Sequence, residues 1–332
     1  MIQRNRLVTS RCQLFSSTLR IGRHYPCSRA RLSALLLVVA SLWGAQFSHN
    51  SAAQDLEPRI YTNIPAGQNF FGVGYAYSDG EVSASPSVPI KDIELTIKGT
   101  AAAYVRSLDL WGTAGKVTAQ WSRLCLDGSA LVNGELIRGD RCGTADPSIS
   151  MTYLFYGAPS MDMNAFRSNP SRRVIGASLT VAAPWGDYNN ENVINTGSNR
   201  WTFKPEIGIS NRWGRWSAEG AFAARLFTDN DNYKGNTTLQ QDPLYQLQTH
   251  IIYDLPKGRW ISLNGNYFWG GRTKKNGVRG DDRQKNSRIG VTFATPLNTQ
   301  NSLKFFASRG VITSIGNDSD TYGVVWQYRW AD

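Results

Sequence analysis

The last segment of the chain alternates residue by residue. Tyr322, Val324, Trp326, Tyr328 and Trp330 share one face, and Thr321, Gly323, Val325, Gln327 and Arg329 share the other. A period of two belongs to a β-strand. The pattern recurs along the chain. Trp216, Ala218, Gly220, Phe222, Ala224 and Leu226 face away from Ser217, Glu219 and Arg225, and Ile261, Leu263, Gly265, Tyr267 and Trp269 oppose Ser262, Asn264 and Asn266. Val117, Ala119 and Trp121 likewise oppose Lys116, Thr118, Gln120 and Ser122. A soluble sandwich also alternates, because each sheet buries one face, but it does not need so aromatic a terminal strand. A wall with lipid outside and water inside does need this dyad, with aromatics at the strand ends where headgroups lie. The expected fold is all-β, a transmembrane antiparallel up-and-down β-barrel of about 12 strands.

Twelve alternating segments are readable, near 68–79, 91–106, 115–124, 147–156, 172–183, 201–211, 215–227, 243–254, 259–270, 286–295, 301–310 and 320–330. An even number lets both termini stay on one side. The connections at 212–215, 254–259 and 295–300 are tight, whereas those following 183, 227 and 270 are long and polar. Short periplasmic turns and long outside loops are the outer-membrane arrangement. No run of ~20 apolar residues is present, which argues against a bundle of membrane helices.

Residues 1–53 hold seven arginines, no lysine and no acid, followed by the apolar stretch 32–43 and the small residues Ser51-Ala52-Ala53. That order predicts a secretory signal peptide cleaved after Ala53. A retained anchor, an organelle transit peptide and an over-early start codon are the competing explanations of the long basic region. Seven of the 36 basic residues and none of the 25 acidic ones fall in this segment, leaving 29 against 25. The basic excess is therefore mostly a property of the leader, and no nucleic-acid partner is expected. Cys125 and Cys142, in an exported chain, point to a disulfide restraining an outside loop rather than to a metal site. The stretch between them contains no histidine, so neither zinc nor any other cofactor is expected. Residues 54–67 read either as a periplasmic tail or as a segment folded into the barrel, and 68–332 as the barrel itself.

With polar faces turned inward, the lumen would carry Lys98, Arg106, Lys116, Lys204, Arg225, Arg288, Lys304 and Arg329 against Glu94, Glu206 and Glu219. A basic lumen favours anions. Tyr104, Phe268 and Phe306 interrupt the inward polar pattern and are placed to stack on an aromatic solute, whose carboxylate a Lys or Arg would pair. The bland counterpart is that inward ions pair with one another and hold the wall. His250 falls on the inward side, and no G-x-S-x-G serine motif accompanies it.

Five stretches resemble a known family: DLEPRIYTNIPAGQNFFGVGYAYSDG (55–80), RSLDLWG (106–112), NRWTFKPEIGIS (199–210), GGRTKKNGVRGDDRQKNSR (270–288) and WQYRW (326–330). They are similar to the exported transporter-like family labelled "meta-pathway of phenol degradation", over essentially all of the chain beyond the leader. The resemblance implies an outer-membrane β-barrel of a Gram-negative bacterium, with no catalytic residue and no defined substrate. The ending Thr321-Tyr-Gly323-x-x-Trp326-x-Tyr328 also looks like the signal read by barrel-assembly machinery.

The expectation is a monomeric channel for passive uptake of small aromatic or hydrophobic catabolites. Its partners would be membrane lipid, lipopolysaccharide, the assembly machinery and the solute. Three alternatives stand beside it. One is a plugged lateral-exit transporter of the fatty-acid type, in which Pro184 and Pro205 would mark a break in the wall. The others are a non-transporting structural barrel and an outer-membrane hydrolase using His250.

Overall fold

The computed structural model describes residues 57–83, 90–132, 135–168, 171–192 and 195–331. The leader expected over 1–53, with its cleavage point, lies outside these residues. In chain order the strands are β1 (Gln68–Ser83), β2 (Ile90–Leu110), β3 (Thr113–Val132), β4 (Glu135–Thr144), β5 (Ser148–Tyr156), β6 (Arg173–Ala182), β7 (Thr202–Trp213), β8 (Trp216–Phe227), β9 (Asn230–Tyr233), β10 (Thr237–Gln241), β11 (Leu244–Asp254), β12 (Trp260–Gly270), β13 (Thr273–Lys275), β14 (Val278–Arg279), β15 (Gln284–Pro296), β16 (Asn301–Thr313) and β17 (Gly316–Ala331). A short helix, α1 (Met163–Ser168), lies between β5 and β6.

A 13-stranded antiparallel sheet closes on itself. β1 pairs with β2 on one side and with β17 on the other, from Gln68↔Ala331 to Ser83↔Gly316. β4 and β5 both pair with β3, β4 along its outer half and β5 along its inner half, so together they make one stave. The result is a closed 12-stave barrel, with all twelve segments read from the sequence standing as staves. β3 runs longer than the alternation showed, because past residue 122 it continues beside β2 and exchanges β5 for β4 as its other neighbour, forming a hairpin with β4. Cys125 and Cys142 face each other across that hairpin and are joined by a disulfide, with Cα atoms 4.0 Å apart. The two long loops after β8 and β12 build a separate 4-stranded sheet, β14-β13-β10-β9. Its outer hairpins turn through Lys234-Gly235 and Asn276-Gly277, all four at positive φ; Asn276-Gly277 is a two-residue turn, which requires that geometry, and the β9–β10 turn is one residue longer.

The distribution of side chains is inside-out. Ile149, Met151, Leu179, Ile207, Phe222, Leu247, Leu263, Val291 and Phe305 are exposed, while Ser210, Gln248, His250, Asn264, Arg288 and Thr292 are buried. Water as the outer solvent would leave that apolar surface unpaid; lipid stabilises it. Aromatic rings gather at the two ends of the wall. Trp326, Tyr328 and Trp330 stack in series with centroids 6.4 and 5.6 Å apart, beside Tyr104. At the opposite end Phe222, Tyr245, Trp269 and Tyr267 form a second group with spacings of 5.4–6.2 Å. Such girdles sit at membrane–water boundaries.

Pro205 stands in the wall opposite Leu179 of β6. The β7–β8 ladder lapses at residues 204–205 and resumes in the same register, Phe203↔Leu226 before and Glu206↔Ala223 after. A proline lacks the donor for that ladder, and the unchanged register means the lapse opens no lateral gap. Pro184 lies in the loop after β6, outside the wall.

Candidate functional site

Residues 57–66 fold into the barrel rather than away from it, and each anchor is a specific side chain of the wall. The Arg59 backbone N–H donates to Glu219 at 2.6 Å, and its guanidinium pairs with Asp254 while lying 4.8 Å over the Trp260 ring. The Thr62 hydroxyl also donates to Glu219, at 3.0 Å, and Ser210 completes that carboxylate's shell at 3.0 Å. Tyr61 is 2% exposed and donates its hydroxyl to Glu206 at 2.9 Å. Its ring occupies a trough made by Gly176 and Gly208, which face each other on β6 and β7; a Cβ on Gly208 would stand 2.1 Å from the ring. Lys116 reaches from β3 to donate to the Ile60 carbonyl at 2.7 Å. At the head of the segment Glu57 meets Lys304 at 3.4 Å.

Above this segment lies a cavity of about 300 Å³. Its wall is a ladder of hydroxyls and amides, including Thr118, Gln120, Ser150, Thr180 and Thr202, with Lys116, Lys204, Arg225 and Arg200 supplying positive charge against Glu57, Glu206 and Asp146. Beyond Glu57 is a second cavity of about 170 Å³. This one is a smooth slot: Gly72, Gly74 and Ala76 of β1 and Gly99, Ala101 and Ala103 of β2 form one side, and Phe306 and Lys304 belong to the other. An apolar cavity of ~150 Å³ is large enough for a benzene ring.

Ten of the expected lumenal residues point inward: Lys116, Lys204, Glu206, Glu219, Arg225, His250, Phe268, Arg288, Lys304 and Phe306. Lys204 pairs with Glu206 at 3.5 Å. Arg288 is 6% exposed and is held by Ser319 and Thr321. Phe306 lies directly over Gly323. His250 directs Nδ1 at Asn264 Oδ1, 2.9 Å away, and Ser262 donates to that same oxygen instead of to the imidazole. No serine–histidine pair is assembled there, as nucleophilic catalysis would require. Arg329 has inward parity but sits at the rim, donating to the Thr299 carbonyl of the periplasmic turn at 2.6 Å.

Lys98, Tyr104 and Arg106 must be corrected. The register places them, with Glu94, on the outer face. Tyr104 packs against Trp330 and donates to Asn69 at 2.7 Å. The inward residues of β2 are the odd ones, among them Gly99, Ala101, Ala103 and Val105. A strand built around Gly99-Thr-Ala-Ala-Ala103 has little hydrophobic contrast between its faces, so charge was a poor guide to its parity. The anchors Arg59, Tyr61 and Thr62 and the loop residue Arg200 were not singled out. The sequence signal for Tyr61 is the pair of inward glycines, Gly176 and Gly208, on adjacent strands.

Extracellular loops close the far end of the larger cavity through Tyr188, Asn230, Tyr233 and Leu239. Arg200, 3% exposed, lies 4.3 Å over the Phe227 ring and donates to Gln241 at 2.5 Å. In the small sheet, Lys234 and Lys275 place their ammonium groups 5.7 and 5.9 Å from the Tyr233 ring. Burial, and then the neighbouring Lys275, pull Lys234 down to about 8 from 10.5. Between those values the unfolded lysine holds a proton that the folded one has released, so the stability of this sheet rises with pH from about 8 upward. Protease clipping of the loop should be slower at pH ~9.5 than at pH ~7.5, and Lys234→Met should flatten the difference.

Residues 77–327 match the family described as "Putative MetA-pathway of phenol degradation". The chain belongs to this family. No curated protein matches it in sequence. Among solved structures, an outer-membrane channel from Pseudomonas putida F1 shares the fold with a TM-score of 0.67 and 19% identity, over 82% of this chain and 99% of that one. The β-domain of the Bordetella autotransporter BrkA aligns with a TM-score of 0.48 and 12% identity, over 80% of this chain and 100% of its own. The family, the closed barrel and the lipid-facing girdles agree on an outer-membrane protein of a Gram-negative bacterium.

Proposed function

We propose that the barrel is a monomeric passive channel for small anionic solutes, with aromatic carboxylates as the preferred class. The carrying observation is the slot between the Gly/Ala wall of β1–β2 and Phe306, sized for one ring, with the Lys304 ammonium beside it. A flat apolar slot accommodates the ring by area burial. The lysine pairs the carboxylate, and the cationic cavity above raises the local concentration of anions. The family's description, which refers to phenol degradation, fits solutes of this kind. No energy source is needed for movement down a gradient.

Single-channel recording in a planar bilayer tests this reading. Anion selectivity, with a current that responds to benzoate and much less to neutral phenol, is the expected result; cation selectivity or indifference to benzoate would overturn it. Replacing Lys204 and Arg225 together by Gln should move the reversal potential toward zero anion preference. Arg329→Gln should leave it in place, because that guanidinium is tied to the periplasmic turn.

A further inference from the structure

Glu57 lines both cavities, together with Ala103, Gln120 and Ser122, and is the carboxylate that the two walls share. Lys304 pairs with it at 3.4 Å, and Lys116 and Lys204 also act on its charge. Two of these lysines have second duties in holding the same segment: Lys116 binds the Ile60 carbonyl, and Lys204 pairs with Glu206, the acceptor of the Tyr61 hydroxyl. Lys304 has no such duty among the contacts described. Its pair with Glu57 is long, and the Glu57 side chain remains 52% exposed to the cavity. A pair of that kind is weak. It persists because the carboxylate is tethered, which gives it an effective concentration on the order of millimolar.

We propose that Glu57 is a tethered stand-in for the solute: its carboxylate occupies the Lys304 anion site, and an incoming carboxylate displaces it, joining the slot to the larger cavity. The inference rests on the reading of the lumen as the solute path. Arg59, Tyr61 and Thr62 keep their own partners, so the exchange needs only residues 57–58 to swing aside while the rest of the segment stays seated. Neutral solutes have no carboxylate to exchange and leave the Glu57–Lys304 pair in place. The site therefore selects by charge and admits its own ligand.

Calorimetric titration of the refolded barrel with benzoate reads the competition directly. Glu57→Gln should tighten benzoate binding about tenfold by removing the competitor, and Lys304→Gln should abolish it. In bilayers, millimolar benzoate should raise the open occupancy of the wild type several-fold. Phenol should not, and Glu57→Gln should be open without benzoate. Unchanged or weaker benzoate binding in Glu57→Gln would overturn the proposal. The Gly208→Val variant, which unseats the segment by a different contact, separates the two levels. If it conducts anions while Glu57→Gln behaves as wild type, the stand-in role falls and the channel remains. If its folded barrel is silent, both fall.

Discussion

Gly208→Val should raise the mean conductance of the barrel. Even a Cβ at this position would lie 2.1 Å from Tyr61 Cε2 and 2.3 Å from Cδ2, and a valine adds two methyl groups beyond it. One of the two partners must move. Gly208 is fixed by ladders to β6 and β8 through Gly176 and Ala221, whereas Tyr61 belongs to an irregular segment held by side-chain contacts. The ring therefore leaves its trough and takes with it the hydrogen bond to Glu206. Losing a buried tyrosine contact of about 2 kcal/mol shifts the seated-to-unseated ratio roughly 30-fold. The increase in mean conductance should follow that shift. Tyr61→Gly should give the same opening by itself, and adding Gly208→Val to it should change little, since both remove one contact. A Gly208→Val barrel that folds, inserts and stays as closed as the wild type would show that residues 57–66 do not obstruct the path.

The staves were legible because each places strongly different chemistry on its two faces. Ile261, Leu263 and Tyr267 against Ser262, Asn264 and Asn266 leave one solution for which side meets lipid. Where the contrast fades the parity fades with it. β2 presents Gly99, Ala101 and Ala103 inward and Thr100, Ala102 and Tyr104 outward, and a one-residue slip moves every side chain of a strand to the other face. Lys98 and Arg106 were misplaced for that reason. The inner segment was unreadable for a different one. Tyr61 meets Ser178 and Glu206, 117 and 145 positions away, and no local period encodes such a contact. Its only trace is on the receiving side, in glycines that weaken a strand unless something must approach closely. The aromatic slot arises from the same small residues that hid the parity of β2, so the feature that defeated the pattern is the one that makes room for a solute.

Arg288→Met should be the most damaging single change to the barrel wall, although it touches neither cavity. The guanidinium donates to the Ser319 carbonyl at 2.7 Å, to Thr321 at 3.2 Å and to Ser308 at 3.3 Å, bridging β15, β16 and β17. Ser78 of β1 joins the same network, at 2.8 Å to Ser319 and 2.9 Å to Thr321. The Ser78 bonds cross the β1–β17 seam, the pairing that turns an open sheet into a closed barrel, and Arg288 holds their β17 partners from the other side. An open edge in lipid leaves backbone groups unsatisfied at several kcal/mol each, so the seam must not fray. Methionine fills similar volume and donates nothing, leaving buried oxygens without the donor they were arranged around. A charged hydrogen bond contributes about 1.5–3 kcal/mol and an abandoned buried acceptor costs about 1–3 kcal/mol. The expected loss is about 3 kcal/mol, seen as a lower urea midpoint in detergent or vesicles with an unchanged slope. Arg288→Lys should recover only part of it, because a single ammonium cannot span three strands. Full stability in Arg288→Met would mean that the backbone ladder alone holds the closure.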